Sequence, residues 1–201
     1  MTIRAVFFDF GGVIMRTEYQ SPRQQLAERF NMDYEEIDRI VFNSDSARRA
    51  SVGAFTEEEH WANVLKRLNL PASETAPFRD AFFGGDVIDL DFVNFIRSLR
   101  GRFHTGMISN AWSGLREFLG RKRILDAFDT VIVSAEVRVT KPEAGIFSIA
   151  LARAGIRAPE SLFVDDVKEN VEGCERVGMQ GILFQDPQKA LAELNKMLKD
   201  K

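Results

Sequence analysis

The sequence predicts a doubly wound, Rossmann-like α/β fold, a parallel sheet with helices on both faces, carrying a small all-helical insert near its start. Three observations support this. Short apolar runs that read as buried strands recur at Ala5 to Phe8, Thr105 to Ile108, Thr130 to Val133, Ser161 to Val164 and Gly181 to Phe184. Helical patterns separate the later runs, at Asp91 to Arg100, Ser113 to Leu119, Pro142 to Ala154 and Asn170 to Val177, and Gln188 to Lys199 follows the last. Between about Thr17 and Gly85 the alternation fails and the pattern is helical throughout.

Taken in order, Ala-Val-Phe-Phe at positions 5 to 8 has no polar alternation, which marks a strand covered on both sides. The insert then offers helices at Pro22 to Phe30, Tyr34 to Phe42, Glu57 to Leu68 and around Phe78 to Phe83. Asp33 with Glu36 and Thr56 with Glu59 have the spacing of capping boxes, so those acids read as structural. The chain leaves the sheet near Met15-Arg16-Thr17 and returns through Gly84-Gly85-Asp86. The expected domains are therefore a core of residues 1–16 and 86–201 and a cap of residues 17–85, whose two crossings suit a lid that moves. From there each strand is followed by a helix, and parallel strands need such crossovers. Gly155 and Gly178 stand where C-cap glycines belong, and Lys196 to Lys201 reads as a solvated helix end.

Composition narrows the function. The chain is 45% hydrophobic and 28% charged, an ordinary globular balance, and 201 residues suffice for one domain with an insert. A net charge of −3 with interspersed signs gives no basic face, which argues against nucleic acid as a partner. No apolar run approaches a membrane span, and the start is too short in apolar residues for a signal peptide, so the expected location is the cytoplasm. The single Cys174 has no thiol partner and reads as a packed helix residue.

In an open parallel sheet, ligands bind beyond the C-terminal strand ends, so the polar residues just past each apolar run matter most. These are Asp9, Ser109-Asn110, the loop ending at Lys141-Pro142, and Asp165-Asp166. Three carboxylates on one rim repel unless a cation lies among them. An oxygen-rich set suits Mg²⁺, which usually shares its shell with substrate phosphate. Lys141 and the Ser109 hydroxyl can serve phosphoryl oxygens, and the backbone N–H groups of Phe10 to Gly12 can line the same pocket. Each residue alone has a structural reading: Asp165-Asp166 as a helix cap, Lys141 as a surface lysine before a proline-led helix. Their order and their placement at strand ends carry the inference.

Phe8-Asp9-Phe10-Gly11-Gly12-Val13-Ile14, Ile108-Ser109-Asn110, Thr140-Lys141-Pro142-Glu143 and Val164-Asp165-Asp166 resemble, in order and spacing, the four motifs of the haloacid dehalogenase superfamily. The sheet portion carries the resemblance, and the insert after the first motif resembles the C1 cap of subfamily I. The resemblance implies a hydrolase of a small phosphate monoester, with Asp9 as the nucleophile that forms an aspartyl-phosphate. It implies phosphate binding by Ser109, Asn110 and Lys141, and Mg²⁺ held by Asp9, the Gly11 carbonyl and Asp166. Asp165 would act through water or by orienting Lys141, with Asn170 in support. The implied partner is a small phosphorylated metabolite, and the chain is expected to be a monomer or homodimer.

The chain departs from the family pattern at Gly11, where phosphatases of the family carry a second Asp as general acid and base. Losing such a group costs about 10²–10⁴ in rate. Three outcomes follow: another acid such as Glu18 or His60 substitutes, the chemistry needs none, or the protein binds a phosphorylated ligand without turnover. Dehalogenation of 2-haloacids also needs no such acid, but the retained Asp165-Asp166 pair argues against it. Trp61 reads as cap core and Trp112 as a residue at the pocket mouth; His60 and His104 read as structural. Arg48 and Arg49 fit either an anionic substrate or a solvated helix face, and Phe82 and Phe83 fit either the cap interface or a dimer contact.

Overall fold

The computed structural model describes residues 2–199; positions 200 and 201 of the expected C-terminal helix end, and Met1, lie outside the described residues. The chain runs β1 (Ala5–Phe8), β2 (Met15–Thr17), α1 (Ser21–Arg29), α2 (Tyr34–Phe42), α3 (Asp45–Ser51), α4 (Glu57–Arg67), α5 (Thr75–Phe82) and β3 (Asp86–Ile88). It continues through α6 (Leu90–Leu99), β4 (His104–Ser109), α7 (Leu115–Arg121), β5 (Thr130–Val133), α8 (Ser134–Val137) and α9 (Ala144–Ala154). The last elements are β6 (Ser161–Asp165), α10 (Lys168–Arg176), β7 (Gln180–Leu183) and α11 (Pro187–Lys199).

Five strands form a parallel sheet in the order β5-β4-β1-β6-β7. β1 sits in the middle, and the chain builds outward to β4 and β5 before crossing back to β6 and β7. The topological switch is therefore at β1. Alternate residues of β1 serve opposite faces. Val6 and Phe8 join a core with Val93, Ile96, Leu119 and Leu194 from α6, α7 and α11. Ala5 and Phe7 join a second core with Ile146 and Phe147 of α9 and Cys174 of α10. All four strand residues are fully buried, and each large one contributes about 1.5–3 kcal/mol by leaving water. Covering on both faces explains why the strand shows no polar alternation.

Helices α1 to α5 lie between β2 and β3, which pair antiparallel as a short two-stranded ribbon. They enclose their own core of Leu26, Ile37, Val41, Trp61, Leu65, Phe78 and Phe82. Both expected capping boxes form: Asp33 with Glu36 starts α2, and Thr56 with Glu59 starts α4. The buried Arg23 ties the insert to its stem. Its guanidinium donates to Asp38 at 2.8 Å, to Asp86 of β3 at 3.2 Å and to the Phe82 carbonyl at 3.3 Å, and lies 4.1 Å from the Phe82 ring centre.

Several elements differ from the sequence reading, among them α8, which stands in the expected loop before Lys141. The ribbon stands where only hinge turns were expected, because strands of three residues show no usable periodicity. Helix α3, polar apart from its alanines, is started by Ser44, whose hydroxyl accepts from the Ala47 N–H. Helix α9 begins at Ala144 rather than Pro142, since Glu143 is its extended N-cap and Pro142 belongs to the loop before it.

Candidate active site

Strand register brings the polar residues together. Phe8 pairs with Val164 of β6, and the Asp9 N–H donates to the Val164 carbonyl at 2.9 Å, so Asp9 and Asp165 leave adjacent strands side by side. Phe8 also pairs with Met107 of β4, which places Ser109, buried, at the neighbouring strand end. One carboxylate oxygen from each of Asp9, Asp165 and Asp166 lies within 4.8 Å of the others.

Lys141 enters this cluster from the loop after α8. Its Nζ lies 2.8 Å from Asp9 Oδ1 and 2.6 Å from Asp165 Oδ2, with its side chain 1% exposed and the ammonium 5.3 Å from the Phe163 ring centre. Two contacts fix the loop. The Asn110 carboxamide clasps the Lys141 backbone, accepting from its N–H at 2.8 Å and donating to its carbonyl at 3.0 Å. Pro142 rests on α10 at Gly173, where an added Cβ would stand 2.7 Å from the Pro142 carbonyl oxygen. Asn110, expected from sequence to bind phosphate, thus reaches the site through the Lys141 backbone. Gly173 was missed, since its importance comes from a loop 31 residues away that passes over it.

The carboxylates differ in their surroundings. Asp165 is fully buried and saturated: it accepts from Lys141, from Val167 N–H at 2.8 Å, and from Asn170 Nδ2 at 3.1 Å on each oxygen. Its place is to hold Lys141, and Asn170 holds it in turn. Asp9 Oδ1 accepts from the Phe10 N–H at 2.7 Å as well as from Lys141, which leaves Oδ2 for other partners. Asp166 is half-buried beside Gly12, whose φ of +75° and missing side chain let the carboxylate in; a Cβ there would stand 2.1 Å from Asp166 Oδ2.

Burial pushes the Asp9 carboxyl up to about 6, with the Asp165 charge adding to the rise and Lys141 opposing it. Burial, then Asp165, raises Asp166 as well. A single lysine among three carboxylates leaves an acidic excess that resists full ionisation, which is the electrostatic condition a divalent cation relieves. The oxygen donors of Asp9 and Asp166 fit a hard ion.

The remaining candidates lie elsewhere. His60 is fully buried in the insert, with its Nδ1 2.9 Å from the Ser46 hydroxyl and its ring 4.3 Å from that of Trp112; burial holds its pKa down to about 4. Glu18 pairs with Arg16 at 3.3 Å. Arg48 is exposed and faces Asp45, and Arg49 stacks 3.8 Å from the Phe55 ring centre. Trp61 is insert core, while Trp112 packs from the loop after β4 onto Phe42, His60 and Trp61 of the insert. His104 bonds Thr130 at 2.9 Å, and Phe82 and Phe83 face each other and Phe42 inside the insert.

A family model for haloacid dehalogenase-like hydrolases matches residues 3–178. The sesquiterpene phosphatase astK of Aspergillus oryzae is 25% identical over 202 residues, covering 98% of this chain and 97% of that protein. A predicted HAD-like family hydrolase from Porphyromonas gingivalis superposes with a TM-score of 0.80 at 23% identity, over 100% of both chains. An HAD family enzyme of Bacteroides thetaiotaomicron, solved with magnesium and inorganic phosphate, superposes with a TM-score of 0.75 at 18% identity, over 90% of this chain and 93% of that one. Among the described residues no helix is long and apolar enough to cross a membrane.

Proposed function

The chain belongs to the haloacid dehalogenase-like hydrolase family, and from that premise we propose that it is a Mg²⁺-dependent phosphatase of small phosphate monoesters, working through an aspartyl-phosphate. The observation that carries this reading is the Lys141 ammonium bridging Asp9 Oδ1 and Asp165 Oδ2 while Asp9 Oδ2 stays available. That arrangement presents a carboxylate oxygen for attack on phosphorus beside a cation suited to phosphoryl oxygens. Asp9, Asp166 and the Gly11 carbonyl would hold Mg²⁺, which when bound neutralises charge on the phosphoryl group. Lys141 and the Ser109 hydroxyl orient that group, and Asn110, Asp165 and Asn170 hold Lys141. The relative that is a sesquiterpene phosphatase and the neighbour solved with magnesium and phosphate support the reading. In this reading residues 17–85 are a cap closing over a phosphorylated metabolite, in the cytoplasm, on a monomer or homodimer.

The test is steady-state hydrolysis of a panel of phosphate monoesters with and without Mg²⁺, on the wild type and Asp9→Asn. Turnover that needs both Mg²⁺ and Asp9 supports the proposal; equal inertness of the two proteins refutes it for that panel. Gly11 favours a second reading, a protein that binds a phosphorylated ligand without turnover, for which metal and phosphate binding without hydrolysis is the signature.

A further inference from the structure

The crowding around the rim stops at one position. At Gly12 and Gly173 an added Cβ would collide with Asp166 or with the Pro142 carbonyl, but at Gly11 it would meet no atom within 4 Å. Gly11 is exposed, and its φ lies outside the left-handed region that favours glycine. Neither space nor backbone conformation demands a glycine there, so what the missing side chain changes is chemical.

Attack by Asp9 Oδ2 forms an O–P bond and breaks the bond from phosphorus to the ester oxygen, which departs with the electron pair. A simple alkoxide is strongly basic and needs a proton as it leaves. A phenolate, an enolate or the oxyanion of an anomeric hydroxyl needs it far less. Water then attacks the phosphoryl-Asp9, releasing inorganic phosphate and a proton and restoring the carboxylate.

The candidate proton donors are held or enclosed by other groups. Lys141 Nζ is held at 2.8 Å and 2.6 Å by Asp9 and Asp165. Asp165 accepts from three donor groups. His60 is sealed inside the insert, its Nδ1 on Ser46, its ring against Trp112 and its Nε2 without a partner among the described residues, and Glu18 forms an exposed pair with Arg16. We infer that the substrates are phosphate monoesters of acidic hydroxyls, phenolic, enolic or anomeric, and that esters of simple alcohols are cleaved poorly, because the open place at Gly11 supplies no proton to the leaving oxygen. This inference rests on the phosphatase reading above and narrows its substrate class.

The experiment measures kcat/KM with Mg²⁺ for nitrophenyl, phenyl, enol, sugar-1 and simple alkyl phosphates on the wild type, Gly11→Asp, Gly11→Ala and Asp9→Asn. The ratio kcat/KM reports expulsion of the leaving group even where later hydrolysis of the phosphoryl-enzyme limits kcat. A positioned general acid is worth about 10²–10⁴ in rate, so the wild type should lose at least ~100-fold from the most acidic to the least acidic leaving group. Gly11→Asp should narrow that span at least ~10-fold, while Gly11→Ala, which adds only a Cβ, should keep it. A flat wild-type profile that still depends on Asp9 overturns the inference and leaves the phosphatase reading standing. A full span retained in Gly11→Asp overturns it as well. Hydrolysis that survives Asp9→Asn throughout sinks the phosphatase reading, and the inference with it.

Discussion

Replacing Lys141 by Met keeps most of the buried stem and removes the one charge that links two carboxylates. At 2.8 Å and 2.6 Å, and at an effective dielectric constant near 20, each attraction amounts to roughly 6 kcal/mol before the desolvation of the ammonium is subtracted. Removing one partner of a buried pair typically costs about 3–5 kcal/mol, because the remaining charge stays buried without its partner. Here Asp9 and Asp165 would both be left, with Asp166 close by. The expected loss of stability at pH 7.5 is therefore about 3–5 kcal/mol in the metal-free protein, measured by urea unfolding. It should shrink at pH 5, where Asp9 can take up a proton, and shrink again when Mg²⁺ is added. A loss below about 1 kcal/mol at pH 7.5, the range of an exposed pair, would refute the claim that Lys141 holds the cluster together.

The metal-free protein should lose stability between pH 5 and pH 7.5: the folded Asp9 carboxyl titrates near 6 against 3.8 in the unfolded chain, so folding retains a proton at pH 5 that it must release as pH rises. Urea midpoints in EDTA should show this fall, and Mg²⁺ should abolish it. Gly12→Ala forces a Cβ to within 2.1 Å of Asp166 at a φ of +75°, and should weaken Mg²⁺ binding by about 10–100-fold in calorimetry, with far-UV circular dichroism unchanged. Gly173→Val pushes Pro142 and the Lys141 loop off α10, and displacement of a catalytic group by about 1 Å can cost ~10² in rate; an unchanged kcat/KM would show that the loop is held without this contact. Arg23→Met leaves Asp38 and the half-buried Asp86 without their cation beneath the insert, and should lower stability by about 3–5 kcal/mol, read by thermal unfolding.

Much of this molecule was legible in the sequence because its signals are local. Buried parallel strands read as unbroken apolar runs, so Ala5–Phe8, Thr130–Val133 and their fellows could be placed to within a residue. Capping boxes depend on a spacing of three residues, and both formed. A ligand rim at the strand ends follows from parallel topology, so Asp9, Ser109, Asp165 and Asp166 could be picked from positions just past each run. Lys141 followed from the loop after the third strand, and the family resemblance added Asn170 and attached roles to the set.

Tertiary structure decided what each of those groups touches. Asn110 and Asp165 carry acceptor groups that could serve a phosphate or a metal, yet one is spent on the Lys141 backbone and the other on Lys141, Val167 and Asn170. His60 is a plausible proton donor by composition, and its burial against Trp112 removes it from that task. Gly12 and Gly11 are neighbours with the same side chain, but one position is filled by Asp166 and the other is open. Residue type and spacing determine which strand end a group occupies. Hydrogen-bond partners and free volume depend on contacts between segments far apart in the chain, so only the folded packing assigns them.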